Sequence, residues 1–204
     1  MKSQKALALI SLLVLMPWTS LECSNSDPNK LYFKSFLDIQ YRAAESVNPA
    51  LTSLDIHVPK NASNAPVVVF VHGGSWAFGD KFLYNSNKLP YLVSLGYVVV
   101  SANYRLSSDT VRHPSHVNDV ATALAWIVDN IERYGGDPGG IYLMGHSAGA
   151  HLVSLLTLSD EFLENAGLNR SRIQGVVLVD TAAYDMVKTK QSLKDTPSSY
   201  YHNA

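Results

Sequence analysis

Residues 141–149, Ile141-Tyr142-Leu143-Met144-Gly145-His146-Ser147-Ala148-Gly149, decide the reading of this chain. Four apolar residues suited to a buried strand run straight into a G-x-S-x-G turn. The mostly apolar segment from Ala148 to Leu158 then continues as a predicted helix. A bare G-x-S-x-G recurs by chance, and its serine could simply cap a helix. Strand before and helix after is the context of a nucleophile elbow, in which a strained turn lifts the serine hydroxyl above the sheet. Large side chains at the flanking glycine positions would collide with neighbouring backbone. The N-terminus of the helix faces the same point and favours developing negative charge. Ser147 is therefore the candidate nucleophile.

Outward from the elbow, the same grammar repeats. Val67–Val71 (VVVFV) and Tyr97–Ser101 (YVVVS) are β-branched runs of the kind buried on both faces of a sheet, and Gln174–Val179 (QGVVLV) is a fourth such strand. Leu54–Val58 (LDIHV) alternates and predicts a half-exposed strand near a sheet edge, while residues 24–34 read as polar loop. Between the strands, Val117, Val120, Leu124, Ile127, Ile131 and Tyr134 fall on one stripe of a helix over His116–Tyr134, stopped by Gly135-Gly136 and Pro138. Strands alternating with helices predict βαβ crossovers and a mainly parallel sheet with helices on both faces. Ligands of such sheets sit beyond the carboxyl ends of the strands, so the loops after Val71, Ser101, Met144 and Val179 are the ones to inspect.

The loop after Val71 reads His72-Gly73-Gly74-Ser75-Trp76. Acyl transfer puts negative charge on a carbonyl oxygen, and one backbone N–H aimed at it is worth about 3 kcal/mol. Glycines let the backbone come close enough. The amides of Gly73, Gly74 and Ala148 are the candidate donors of an oxyanion hole. A simple Gly-Gly turn is the alternative, weakened by its place at the carboxyl end of a buried strand. Trp76, Phe78 and Tyr104 either line the pocket or pack behind it.

HGGSW, SANYRLS, HPSHVNDVATALAWIVDNIERYGGDP, GHSAGAHL and DTAAYD together resemble the carboxylesterase, hormone-sensitive-lipase-like and kynurenine-formamidase-like branch of the α/β hydrolases, nearest to feruloyl or acetyl-xylan esterases. The resemblance runs from Leu54 to Met186. It implies an α/β-hydrolase fold, a serine esterase acting through an acyl-enzyme on Ser147, and an oxyanion hole from Gly73, Gly74 and Ala148. It implies neither a cofactor nor a metal, and it places His72 beneath the loop rather than in proton chemistry. The substrate would be a small-molecule or polysaccharide-linked ester. An amide or formamide hydrolase, or a non-catalytic relative that binds rather than cleaves, remains open.

The resemblance also places an acid and then a histidine on later strands. The chain ends at Ala204, 57 residues after Ser147, with one further strand ending near Asp180. The expectation is thus a partial domain over residues 30–204, its last strands missing. Within it His151 lies on a helix flank, His202 sits in a polar tail, and Asp180 and Asp185 serve loop structure. His113 and His116 form an H-x-x-H that reads as a surface turn, lacking the further ligands a metal would need. Asp38, Glu45 and Asp55 have no assigned role.

Lys2 and Lys5 precede an uncharged run, Ala6–Met16, broken by Pro17. The run is shorter than the ~20 residues a membrane span requires and has the order of a secretory signal over residues 1–23. Export, extracellular or periplasmic, is the expectation. Cys23 is the only cysteine, so an intramolecular disulfide is excluded. Asn61 and Asn169 head N-x-S sequons. A net charge of −1 without basic clusters argues against a nucleic-acid partner.

Overall fold

A computed structural model describes residues 33–43, 47–84 and 88–181. The signal-like segment, Glu45, Asp185 and His202 lie outside the described residues. Six strands form one sheet: β1 (Phe33–Gln40), β2 (Ser53–Pro59), β3 (Ala65–Val71), β4 (Val98–Ala102), β5 (Gly136–His146) and β6 (Ile173–Val179). Their order across the sheet is β1-β2-β4-β3-β5-β6. The β4-β3, β3-β5 and β5-β6 pairs are parallel, and β1-β2 and β2-β4 are antiparallel. Four helices complete the described fold: α1 (Lys88–Ser94), α2 (Ser115–Asn130), α3 (Ala148–Leu158) and α4 (Asp160–Asn165).

The uninterrupted valine runs give the sheet two apolar faces. Val67, Val69 and Val71 point with Val98, Val100 and Leu143 into a core closed by α2 and α3, through Val117, Leu124, Leu152 and Leu156. Val68, Phe70 and Val99 point the other way, against Leu89, Leu92 and Val93 of α1. Alternation along a strand produces this split because successive side chains leave opposite faces. The predicted mainly parallel sheet with helices on both faces is therefore the fold observed. α2 ends as read, through a 3-10 turn over Ile131–Tyr134 and Gly135 at φ 79°.

Two readings are corrected at the left of the sheet. β2 lies near the edge as read, one strand in from it, but residues 33 and 34 belong to the outer strand β1 (Phe33–Gln40) rather than to a loop. The polar residues of β2 are not solvent-facing either: Asp55 and His57 are 1% and 4% exposed. Asp55 instead accepts from the ammonium of Lys81, itself buried, at 2.9 Å, and the same ammonium reaches Asp38 at 2.8 Å. Burial alone would lower the Lys81 ammonium, yet its bonds to Asp38 and Asp55 hold it above its ordinary value. Asp38 adopts φ 55° at the irregularity between Phe36 and Ile39, and its N–H donates to Asp55 Oδ1 at 2.8 Å. Asp38 and Asp55 are thus structural ion-pair partners.

A second buried carboxylate, Asp119 on α2, takes Arg105 through Nε at 2.6 Å and Nη2 at 2.8 Å, and Arg42 at 2.8 Å. It ties the segment after β4 and the segment after β1 to one helix. Removing one member of a buried ion network leaves its partners desolvated and unpaired, which costs more than the network itself contributes. Asp119→Ala is expected to lower unfolding stability by about 3 kcal/mol. Chemical denaturation of the two forms, compared at equal denaturant slope, checks this.

Candidate active site

The elbow is built by close backbone contact. Ser147 adopts φ 52° and ψ −118°, a conformation that costs an L-residue energy and persists only where neighbours enforce it. Its N–H donates to Val179 O of β6 at 2.8 Å, and its carbonyl accepts from His151 N at 3.1 Å. Two glycines explain why the motif needs them. A Cβ on Gly149 would lie 2.2 Å from Val71 O and 2.5 Å from His72 O. A Cβ on Gly145 would lie 2.5 Å from Gly149 O. The first turn of α3 therefore rests directly on the end of β3, with no side chain between them.

That contact brings the second loop to the serine. A Cβ on Gly73 would meet Ser147 Cβ at 3.0 Å and His146 O at 2.8 Å, so the two motifs, 74 residues apart in sequence, touch through backbone at Gly73. Among the described residues, the amides of Gly73 and Gly74 donate to no backbone carbonyl. Ala148 opens α3, where first-turn amides have no intrahelical acceptor. Ser147, Gly73, Gly74 and Ala148 are all brought to one place at the carboxyl ends of β3 and β5.

The 72–81 loop is held from below by residues 103–107, which follow β4. Tyr104 Oη donates to His72 O at 3.0 Å, Ser107 N donates to Trp76 O at 2.8 Å, and Asn103 grips the far end. Its Oδ1 accepts from Lys81 N at 2.6 Å and its Nδ2 donates to Asp80 Oδ2 at 2.9 Å. The loop is thus fastened near its start, middle and end by one short segment. Residue types alone did not reveal this, because polar residues after a strand read as surface loop.

The aromatic residues divide. Tyr104 is fully buried and stacks on His72, ring centroids 4.4 Å apart and planes 12° from parallel, so it packs behind the loop and does not line a pocket. Trp76 is buried with its ring edge-on to His151 at 5.2 Å. Phe78 is half exposed.

The histidines hold structural places. His72 Nδ1 lies 2.7 Å from Gly73 O, and since a carbonyl only accepts, Nδ1 carries the proton. Burial pushes the His72 imidazole below its ordinary range, against smaller opposing effects of that bond and Asp80. His116, read from sequence as part of a surface turn, is in fact buried, with Nε2 3.0 Å from Ser107 Oγ, while His113 is exposed as read. Burial pushes His116 down to about 4, although nearby Asp119 works in the other direction. His151 is lowered by burial and by His113, and among the described residues no histidine hydrogen-bonds Ser147 Oγ. Among the same residues, no group of three or more His, Cys, Asp or Glu is arranged to hold a metal ion, and no helix is long and apolar enough to cross a membrane. Asp180, at φ 53° after β6, is exposed.

Comparison with known proteins gives the class. The BD-FAE family model matches residues 54–199. Esterase LipQ of Mycobacterium tuberculosis is 43% identical over 95 residues, covering 47% of this chain and 22% of that protein. Juvenile hormone esterase of Heliothis virescens is 34% identical over 165 residues, covering 71% of this chain and 28% of its own length. The crystal structure of esterase B from Lactobacillus rhamnosis superposes with a TM-score of 0.60 at 28% identity, covering 86% of this chain and 54% of that one. The chain belongs to the BD-FAE family of α/β hydrolases, of the carboxylesterase type. It spans less than a third of the two curated relatives just described.

Acid should loosen this framework. A histidine held neutral in the fold but free to protonate when unfolded makes the unfolded state bind more protons below its ordinary pKa of about 6.5. Stability attributable to His72 and His116 is therefore full above about pH 6.5 and falls as pH drops, for His116 down to about 4. Melting temperatures recorded between pH 7.5 and 4.5 are expected to fall across this window, and His116→Gln is expected to flatten part of the decline.

Proposed function

We propose that the protein is a serine hydrolase that cleaves carboxylic esters through an acyl-enzyme on Ser147. The observation carrying this reading is the contact of Gly73 with Ser147 at an elbow held at φ 52°. It puts a strained, partly exposed serine beside amides not taken up by backbone pairing. Ser147 Oγ would attack the ester carbonyl, whose oxygen becomes an oxyanion. The N–H groups of Gly73, Gly74 and Ala148 would stabilise that charge, which exists only in and around the transition state. Collapse expels the alcohol, and water then releases the acid from the serine.

A serine hydroxyl is a weak nucleophile until a base takes its proton. His151 does not fill that role in this reading: its ring packs edge-on to Trp76 and, among the described residues, makes no hydrogen bond to Ser147 Oγ. The base would come from outside the described residues. The names of the relatives, esterases in bacteria and an insect, favour an ester over an amide. A small or polysaccharide-linked ester is the substrate class we propose. We also propose that residues 1–23 direct export.

Two experiments test these readings. A fluorophosphonate probe is expected to attach at Ser147, located by peptide mass spectrometry, and Ser147→Ala is expected to abolish labelling. Labelling that survives the substitution, or that maps to another residue, would refute the assignment. For export, N-terminal sequencing of the protein recovered from its native host is expected to begin between Leu21 and Asn25. An intact Met1 on the folded protein would contradict it.

A further inference from the structure

We infer that Tyr104 is a positioning residue for this hydrolysis: its hydroxyl, 3.0 Å from His72 O, fixes the peptide whose other end is the Gly73 N–H. The inference rests on the reading of Ser147 and Gly73 given above.

The carbonyl of His72 and the N–H of Gly73 belong to one planar unit, and that unit is trans, since the cis bond among the described residues is His113–Pro114. In a trans peptide the C=O and N–H point in opposite directions. Whatever holds His72 O therefore also sets the direction of Gly73 N–H. His72 O is turned toward α3, where it occupies the place a Gly149 side chain would take, and toward the Tyr104 hydroxyl. Gly73 N–H then points away from both, and its direction is set at the residue where a Cβ would meet that of Ser147.

A glycine pair has little stiffness of its own. Without an external hold, this peptide could rotate about its flanking bonds and turn the N–H out of line. Tyr104 supplies the hold from a rigid place. Its ring is fully buried and stacked on the His72 imidazole, so the hydroxyl has little room to wander. Burial keeps the phenol protonated and hence a donor. The next peptide is held in the same manner, with His72 Nδ1–H donating to Gly73 O and so fixing the plane that carries Gly74 N–H. Tyr104 orients His72 by stacking and orients the Gly73 amide by its hydroxyl.

The test uses n-butylboronic acid, which forms a tetrahedral adduct on a serine hydroxyl and needs no turnover. Butyramide, whose planar neutral carbonyl asks little of an oxyanion site, is the ground-state comparison. Affinities are measured for the wild-type chain, Ser147→Ala and Tyr104→Phe. The expected result is boronate binding that vanishes in Ser147→Ala and weakens roughly tenfold in Tyr104→Phe, a part of the 10²–10³ that loss of one oxyanion donor costs in rate. Butyramide affinity is expected to stay unchanged in Tyr104→Phe. Equal boronate affinity in Tyr104→Phe and wild type overturns the inference, and so does equal weakening of both ligands, which would mark a general loss of packing. Boronate binding that is the same in wild type and Ser147→Ala overturns the reading of Ser147 and this inference with it. Should Tyr104→Phe give no cooperative melt, 3-fluorotyrosine placed at position 104 takes its place. Its more acidic hydroxyl donates more strongly and is expected to tighten the boronate about twofold, where unchanged or weaker binding overturns the inference.

Discussion

The contact of Gly149 with the end of β3 is the constraint on which the rest of the site depends. Val71 O and His72 O occupy the space that any side chain at position 149 would need. This lets the first turn of α3 settle against the strand end. The settling places Ser147 beside Gly73, and only then do two distant loops share one reaction volume. The strained φ of Ser147 follows from it, because the chain must leave β5, reverse and enter a helix within a single residue. The apolar faces of α3 and the valine runs of β3 and β4 supply the packing that keeps this conformation in place.

A close contact between backbones is useful to catalysis only if both sides are stiff. On the serine side, the bond from Ser147 N to Val179 O fastens the elbow to β6. On the glycine side, stiffness is borrowed from residues 103–107 and from buried ions. Lys81, Asp55 and Asp38 bind the end of the 72–81 loop to β1 and β2, and Asp119 binds the start of residues 105–107 to α2 through Arg105. These ion pairs lie where two antiparallel strands meet the parallel part of the sheet. They give polar groups to a region whose backbone must be held more tightly than apolar contact alone would hold it. Preorganisation of this kind lets amide dipoles act on a developing charge without first reorienting.

The parts of this arrangement legible in the sequence were those with a strong local signature. VVVFV, IYLM and the stripe of α2 declare their burial by pattern, and GHSAG between a strand and a helix declares the elbow. The rest was hidden for physical reasons. β1 is broken at Asp38, whose left-handed backbone interrupts alternation, so the strand outside β2 could not be read. Asp55 and His57 alternate with apolar neighbours and therefore read as solvent-facing, although the partner that buries Asp55, Lys81, lies 26 residues away. His116 looked like a turn residue because Pro114 precedes it, and only the fold shows Ser107 and Tyr104 closing over it. Tyr104 carried no directional information at all. An aromatic ring after a buried strand serves a pocket or a core equally well, and the choice is made by where His72 lies.

The most direct measurement is a crystal structure of the protein carrying a short-chain alkylphosphonate. The account expects phosphorus bonded to Ser147 Oγ, with the phosphoryl oxygen at about 2.7–3.1 Å from the backbone nitrogens of Gly73, Gly74 and Ala148. A phosphoryl oxygen turned to solvent, more than about 3.5 Å from all three amides, would contradict it.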